Sequence, residues 1–374
     1  MSSIGLEKEE LDTPALLIDL DMLEKNIRIM ADYYRGRKGA ALLPHQKGHR
    51  LPVIAKKQID AGAVGVSMTS LGLAEYYVQS GIDNILITAE IYGNNKIRRL
   101  CSLSNHANVT TSIDNLENAR QISDLARLSN TQVNVAVELY TGKSNSGVEV
   151  DNAKYFVQEL MKLPGITFKG LWLVGPESYM KKFEDRKRSH FAWLDKLAKL
   201  KDELEDVGVI VEMLSSGQLC TWNITPEYSK LSNVGVQAGN YVFSDWCTKN
   251  FEGLEVFDCA LTVLTRCISR PKPNEAMFDF GMNSCSDEDT EDYGSVVGPK
   301  FKDAKVQERI QEFGLREELA WAVLSRSAED IRVGDVFEMI PPHSDTTAKM
   351  FDVYYGVRDN KVETVWPNYG RGLL

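Results

Sequence analysis

Residues 42–50 read LLPHQKGHR, with Lys47 between His45 and His49. The apolar run 40–43 ends at Pro44, and a helix-like segment begins near Pro52. A strand that stops and leaves a lysine at its C-terminal end is where an α/β barrel places catalytic side chains. A lysine held there can lose its proton and form a Schiff base with a carbonyl compound. Taken alone, the stretch is better explained as a surface loop. The rest of the chain shifts the balance.

Upstream, the apolar run 15–18 follows Thr13-Pro14 and reads as a strand. Asp21 and Glu24 resemble a capping box opening a helix, with Leu23, Ile27, Met30 and Tyr34 at helical spacing as its buried stripe. Downstream, apolar runs recur at 63–68, 84–89, 109–113, 133–139, 170–174, 209–214 and 234–237. Amphipathic segments separate them. One is 114–128, where Asp114 and Glu117 suggest a second capping box; the longest is 179–205. Counting 40–43, eight short buried strands alternating with helices predict a (β/α)8 TIM-like barrel over residues 20–250.

From about residue 254 the helical period fades. The segments 261–269, 276–280, 319–324, 336–340 and 351–358 read as strands, and Asp359-Asn360 suits a hairpin turn before 361–366. Strands without crossover helices predict an antiparallel β domain over 251–374, joined by 1–19. The acidic stretch 280–305 lacks a period and reads as a loop.

Composition narrows the function. The chain has 374 residues, 43% hydrophobic and 26% charged, an ordinary globular balance with room for two domains. A net charge of -10 argues against nucleic acid or an anionic membrane as partner. No signal peptide or membrane-spanning run is visible, and the six cysteines form no C-x-x-C pair, which together suggest a cytoplasmic protein with reduced thiols.

Loops after the seventh and eighth strands of such a barrel often hold a phosphate. Here the first carries Ser216, Gly217 and Thr221, and the second Gly239 and Asn240. Each is equally consistent with a plain turn. With Lys47 they describe a lysine and a phosphate cradle, the requirement of pyridoxal phosphate. A second candidate is His343 and Asp345, two apart after a strand. In an extended chain they share a face and could hold a divalent ion. On spacing alone, a hydrogen-bonded His–Asp pair is the better account.

The chain resembles the D-threonine aldolase and D-serine dehydratase family, fold type III enzymes with an alanine racemase-like barrel. The motifs run nearly end to end: DTPALLIDLDMLEKNI, PHQKGH, DAGAVGVSMTSLGLAE, GIDNILI, VQAGNYVFSD, IPPHSDTTAKMFD and VWPNYGRG. The resemblance implies a Schiff-base lysine at Lys47 and phosphate contacts at Thr221, Gly239 and Asn240, with Ser216 and Gly217 nearby. It implies a metal pair at His343 and Asp345, taking Mn²⁺ or Mg²⁺, with Zn²⁺ as an alternative. It also implies a homodimer whose barrel face meets the partner's β domain. An aspartate at 345 resembles the aldolase branch; the dehydratase branch usually shows cysteine. The pattern departs at Leu43, at 48–50, at the loop SGQLCT, at Val174 to Glu177, at Leu319 and at Thr248.

The implied reaction is cleavage of a D-β-hydroxy amino acid to glycine and an aldehyde, with His45 and His49 orienting the lysine or handling protons. In a strand-end loop the two histidines are as well explained as structural donors. Dehydration, racemisation, or cofactor binding without turnover are the alternatives. The side chain at Cβ is left open.

Overall fold

The computed structural model describes residues 3–142, 145–286, 298–325 and 331–373. Contacts divide the chain into two units, Met1–Ile29 with Asn240–Arg371, and Met30–Gly239 with Gly372–Leu374.

The chain begins with strand β1 (Ala15–Asp19) and helix α1 (Leu20–Tyr34). Leu23, Ile27, Met30 and Tyr34 are all buried, as their spacing predicts. The helix start differs from expectation. Asp19 caps it, accepting the Met22 N–H at 3.0 Å. Asp21 and Glu24 instead form ion pairs with Arg358, a partner more than 330 residues away.

The larger unit alternates strand and helix. The order is β2 (Ala40–Leu42), α2 (Pro52–Asp60), β3 (Val66–Met68), α3 (Leu71–Gln79), β4 (Asn84–Glu90), α4 (Asn94–Ser104), β5 (Asn108–Ile113), α5 (Leu116–Leu128), β6 (Val133–Glu138), α6 (Val150–Leu160), β7 (Ile166–Leu173), α7 (Phe183–Glu205), β8 (Met213–Ser216) and β9 (Val234–Val236). The eight strands pair in parallel in the order β2-β9-β8-β7-β6-β5-β4-β3. Backbone bonds from Val64 to Leu42, from Ser67 to Pro44 and from Gln46 to Ser67 join β2 to β3, curling the sheet into the expected barrel. Leu43, one of the positions that depart from the family pattern, packs inside it with Leu86, Ala136 and Trp172. The outer core lies between strands and helices and includes Ile85, Val109, Val135, Leu171 and Leu197.

Two expectations shift. Helix α5 is capped by Asn115, which accepts from the N–H groups of Glu117 and Asn118. Asp114 is occupied by the Gly147 N–H. The seventh barrel strand is Met213–Ser216 and not 209–214, so Ser215 and Ser216 belong to the strand rather than to the loop after it.

The smaller unit adds β10 (Leu261–Ser269), β11 (Glu275–Phe278), β12 (Lys300–Phe301), α8 (Ala304–Gln307), β13 (Ile310–Leu315), β14 (Ala320–Leu324), β15 (Val336–Ile340), α9 (Ser344–Ala348), β16 (Val353–Arg358) and β17 (Lys361–Pro367). Strand β1 joins this sheet, antiparallel to β10 and parallel to β16. Asp359 and Asn360 form the hairpin turn, both with positive φ. Strands β12 and β13 escape the sequence pattern, because one is two residues long and the other has no buried residue. Within 280–305, residues 287–297 lie outside the described residues.

Candidate active site

The Lys47 turn is rigid around an accessible lysine. Lys47 is exposed, while Gln46, Gly48, His49 and Arg50 are buried. Gln46 donates to the Pro44 carbonyl and to Gln58, and accepts from Tyr77. Arg50 adopts φ 56°, donating its N–H to the Gln46 carbonyl and its Nε to the Lys47 carbonyl. The two histidines repeat one local motif. His45 Nδ1 accepts the Lys47 N–H at 3.2 Å, and His49 Nδ1 accepts the Leu51 N–H at 3.1 Å. With Nδ1 accepting, His45 carries its proton on Nε2 and donates it to Thr88 Oγ1 at 3.3 Å.

The ends of β8 and β9 adjoin this turn. Gln237 N–H donates to the Gly217 carbonyl, and Ser215 Oγ donates to the Gly235 carbonyl. A Cβ on Gly239 would stand 1.9 Å from the His45 carbonyl oxygen, so only glycine allows this approach. Gly217 adopts φ +98°. The Thr221 hydroxyl is engaged within its own loop, accepting the Gln218 N–H and donating to the Gln218 carbonyl. Ser216 Oγ is fully buried and has no hydrogen-bond partner among the described residues. A buried hydroxyl left unpaired is costly, and a phosphate oxygen would satisfy it. Orphan hydroxyl, glycine turn and neighbouring lysine fit pyridoxal phosphate.

Behind this loop lies a buried group the sequence left unread. His190 Nε2 is 2.8 Å from Thr225 Oγ1, and its Nδ1 is 3.8 Å from Glu177 Oε1. Glu177 also accepts from Ser189 Oγ, and Gln218 Nε2 donates to the Gly175 carbonyl. The segment that departs from the family pattern at Val174 to Glu177 thus braces the glycine turn.

A second unread group closes β4, β5 and β6. Glu138, buried, accepts from Ser146 Oγ at 2.8 Å and lies beside Glu90. Ser112 Oγ donates to Glu90 and accepts from Trp172 Nε1. Burial first, then Glu90 beside it, pushes the Glu138 carboxyl up to about 8. Burial raises Asp114 as well, with Glu90 adding to the effect. The available signal was a glutamate ending an apolar strand run, at both 90 and 138.

In the other unit, His343 caps α9 and Asp345 lies in its first turn. The extended-chain geometry expected for the pair is therefore replaced by a helix start. His343 Nε2 and Asp345 Oδ2 still stand 3.7 Å apart, slightly wider than the roughly 3 Å between adjacent oxygen or nitrogen ligands of an octahedral ion. Ser286 braces the His343 backbone on both sides. No cluster of three or more His, Cys, Asp or Glu groups suited to a metal occurs among the described residues. A donor set of one imidazole and one carboxylate suits a hard ion completed by water and substrate oxygen. Asn240 is tied to this segment through Asp245 and Ser344.

A parallel eight-stranded barrel with a lysine turn after its first strand, followed by an antiparallel β unit, is the architecture of a fold type III pyridoxal phosphate enzyme. Comparisons agree. Residues 18–242 match the alanine racemase N-terminal domain, and 260–357 a putative serine dehydratase domain. A 3-hydroxy-D-aspartate aldolase of Paracoccus denitrificans is 32% identical over 98% of this chain and 94% of its own length. A D-threonine aldolase of an Arthrobacter species is 28% identical over 97% and 93%. The crystal structure of D-threonine aldolase from Filomicrobium marinum superposes with a TM-score of 0.91 at 26% identity, covering 100% of this chain and 99% of that one. The chain belongs to the D-threonine aldolase and D-serine dehydratase family and is a pyridoxal phosphate-dependent lyase.

No disulfide joins the six cysteines among the described residues. No helix among the described residues is long and apolar enough to cross a membrane.

Proposed function

We propose that this lyase cleaves the Cα–Cβ bond of a D-β-hydroxy amino acid, giving glycine and an aldehyde. The observation that carries it is the end-to-end likeness to two aldolases. The carboxylate at 345 agrees with it. Lys47 Nζ is the covalent anchor of the cofactor. Ser216 Oγ and the Gly217 N–H receive the phosphate, Gly239 lets the β9 end come close to the His45 turn, and the Thr221 loop completes the cradle. The cofactor ring, when bound, takes up the electron pair released at Cα. A divalent ion, Mn²⁺ or Mg²⁺ before Zn²⁺, would be held by His343 and Asp345 and would acidify the β-hydroxyl. His45 and His49 hold the lysine turn through their Nδ1 acceptors, and His45 Nε2–H points to Thr88. We read the protein as a cytoplasmic homodimer.

The test is a panel of D-β-hydroxy amino acids with pyridoxal phosphate and Mn²⁺, followed by separate assays for aldehyde and keto acid. Aldehyde with glycine is expected, and EDTA should remove turnover while the bound cofactor's absorbance persists. A keto acid would make the protein a dehydratase, and a bound yellow cofactor with no product would deny turnover. Borohydride reduction and peptide mapping should mark Lys47; label on another lysine rejects the anchor. Light scattering at micromolar concentration should report a dimer.

A further inference from the structure

Five hydrogen-bond donors converge on one buried carboxylate. Asp245 Oδ1 accepts from Thr248 N–H at 2.8 Å and from Thr248 Oγ1 at 2.6 Å. Its Oδ2 accepts from Asn240 Nδ2 at 2.7 Å, Ser344 N–H at 3.1 Å and Ser344 Oγ at 3.2 Å. Asp245 is only 1% exposed, so each of these bonds replaces one that water would otherwise supply. Ser344 lies between His343 and Asp345, and its one hydroxyl proton is shared between Asp245 Oδ2 and Asn240 Oδ1. Backbone bonds run alongside, from Trp246 N–H to the Pro341 carbonyl and from Cys247 N–H to the Pro342 carbonyl. Ser244, the residue before Asp245, is held at φ 48°. A serine in the left-handed region costs free energy and persists only where its surroundings over-determine it. Thr248 is one of the positions where the chain departs from the family pattern. Here its hydroxyl serves the same carboxylate.

We infer that Asp245 is a positioning residue that locks the start of α9, with its His343–Asp345 pair, to the segment beginning at Asn240. The inference rests on the reading of that pair as a metal site. Both oxygens of Asp245 face backbone N–H groups, Thr248 on one side and Ser344 on the other. Asparagine at 245 must therefore turn its NH2 toward one of them, whichever way the amide lies. That side of the clasp opens, and the pair loses its fixed start. Outer hydrogen-bond partners of a metal site typically hold about tenfold to a hundredfold of its affinity.

The experiment titrates Mn²⁺ into the cofactor-loaded protein and follows free Mn²⁺ by electron paramagnetic resonance. Wild type should bind one ion and His343→Ala none. Asp245→Asn should weaken binding by about tenfold to a hundredfold. Its turnover should recover at saturating Mn²⁺, which a general structural defect would not allow. Ser344→Ala, which removes one donor and keeps the carboxylate, should weaken binding by about fivefold and serves if Asp245→Asn fails to fold. Binding by a folded Asp245→Asn, or by Ser344→Ala if that variant must stand in, within about twofold of wild type overturns the role of Asp245 alone. No Mn²⁺ on wild type overturns the metal reading, and the role of Asp245 with it.

Discussion

Two sets of strand ends in the same barrel are built from opposite materials. The ends of β8 and β9 use small neutral residues: Ser216, Gly217, Gly239. The ends of β4, β5 and β6 use carboxyls and hydroxyls: Glu90, Ser112, Asp114, Glu138. The first set leaves a buried hydroxyl unsatisfied and backbone close enough to touch. The second satisfies itself, Ser146 donating to Glu138 and Ser112 to Glu90, with burial raising the Glu138 carboxyl. An anion is welcomed by the first and repelled by the second unless a carboxyl stays neutral. One set leaves a hydroxyl unpaired among the described residues; the other pairs its own groups and holds a raised carboxyl.

The sharpest way to break the comparison is Lys47→Ala. It should abolish both the visible absorbance of bound cofactor and turnover, leaving the fold intact by circular dichroism. Retained absorbance would move the cofactor site elsewhere.

Gly239→Ala comes next. Its methyl would fall 1.9 Å from a backbone oxygen, and backbone must move to admit it. Overpacking of this kind costs about 1–3 kcal/mol, read as a lower midpoint in thermal or urea unfolding, with cofactor affinity falling alongside. An unchanged midpoint would mean that the approach of β9 to the His45 turn is loose.

Glu138→Gln probes the other set. The folded carboxyl is raised from its ordinary 4.5 to about 8, so the folded state holds a proton that the unfolded chain releases. That contribution is fully present below about pH 4.5 and is lost as pH rises through 8. Glutamine imitates the protonated acid. The variant should match wild type near pH 5 and exceed it in thermal midpoint near pH 9. Parallel pH profiles for the two proteins would remove the raised Glu138 carboxyl from the account.

Ser216→Ala should have the smallest effect and the most telling sign. Without cofactor the variant should be as stable as wild type or about 1 kcal/mol more stable, because an unpaired buried hydroxyl is gone. Cofactor binding, followed by fluorescence, should weaken by about tenfold, the worth of one hydrogen bond to a charged group. Destabilisation of the cofactor-free protein would show that the hydroxyl has a structural partner.

The barrel was legible because its signals are local. An apolar run of four to eight residues and a helical stripe such as Leu23, Ile27, Met30 and Tyr34 need no distant partner to be recognised. The lysine at a strand end was legible for the same reason. The helix caps were not. Asp21 and Asp114 are as good caps in isolation as Asp19 and Asn115, but Arg358 and the Gly147 N–H claim the first two. The turn of the chain at His343 was also hidden, since Ser286 and Asp245, distant in sequence, hold the start of α9.

Sequence by itself determined the alternation of strand and helix, the change to an antiparallel sheet, and the position of Lys47 on a turn. Each follows from side-chain periodicity and turn chemistry within a few residues. Only the tertiary structure decided which polar groups meet. Glu90 with Glu138, His190 with Thr225, and Asp245 with Ser344 are separated by tens of residues or more. Burial and geometry, and not pattern, set whether such a group is paired, protonated or left open for a ligand.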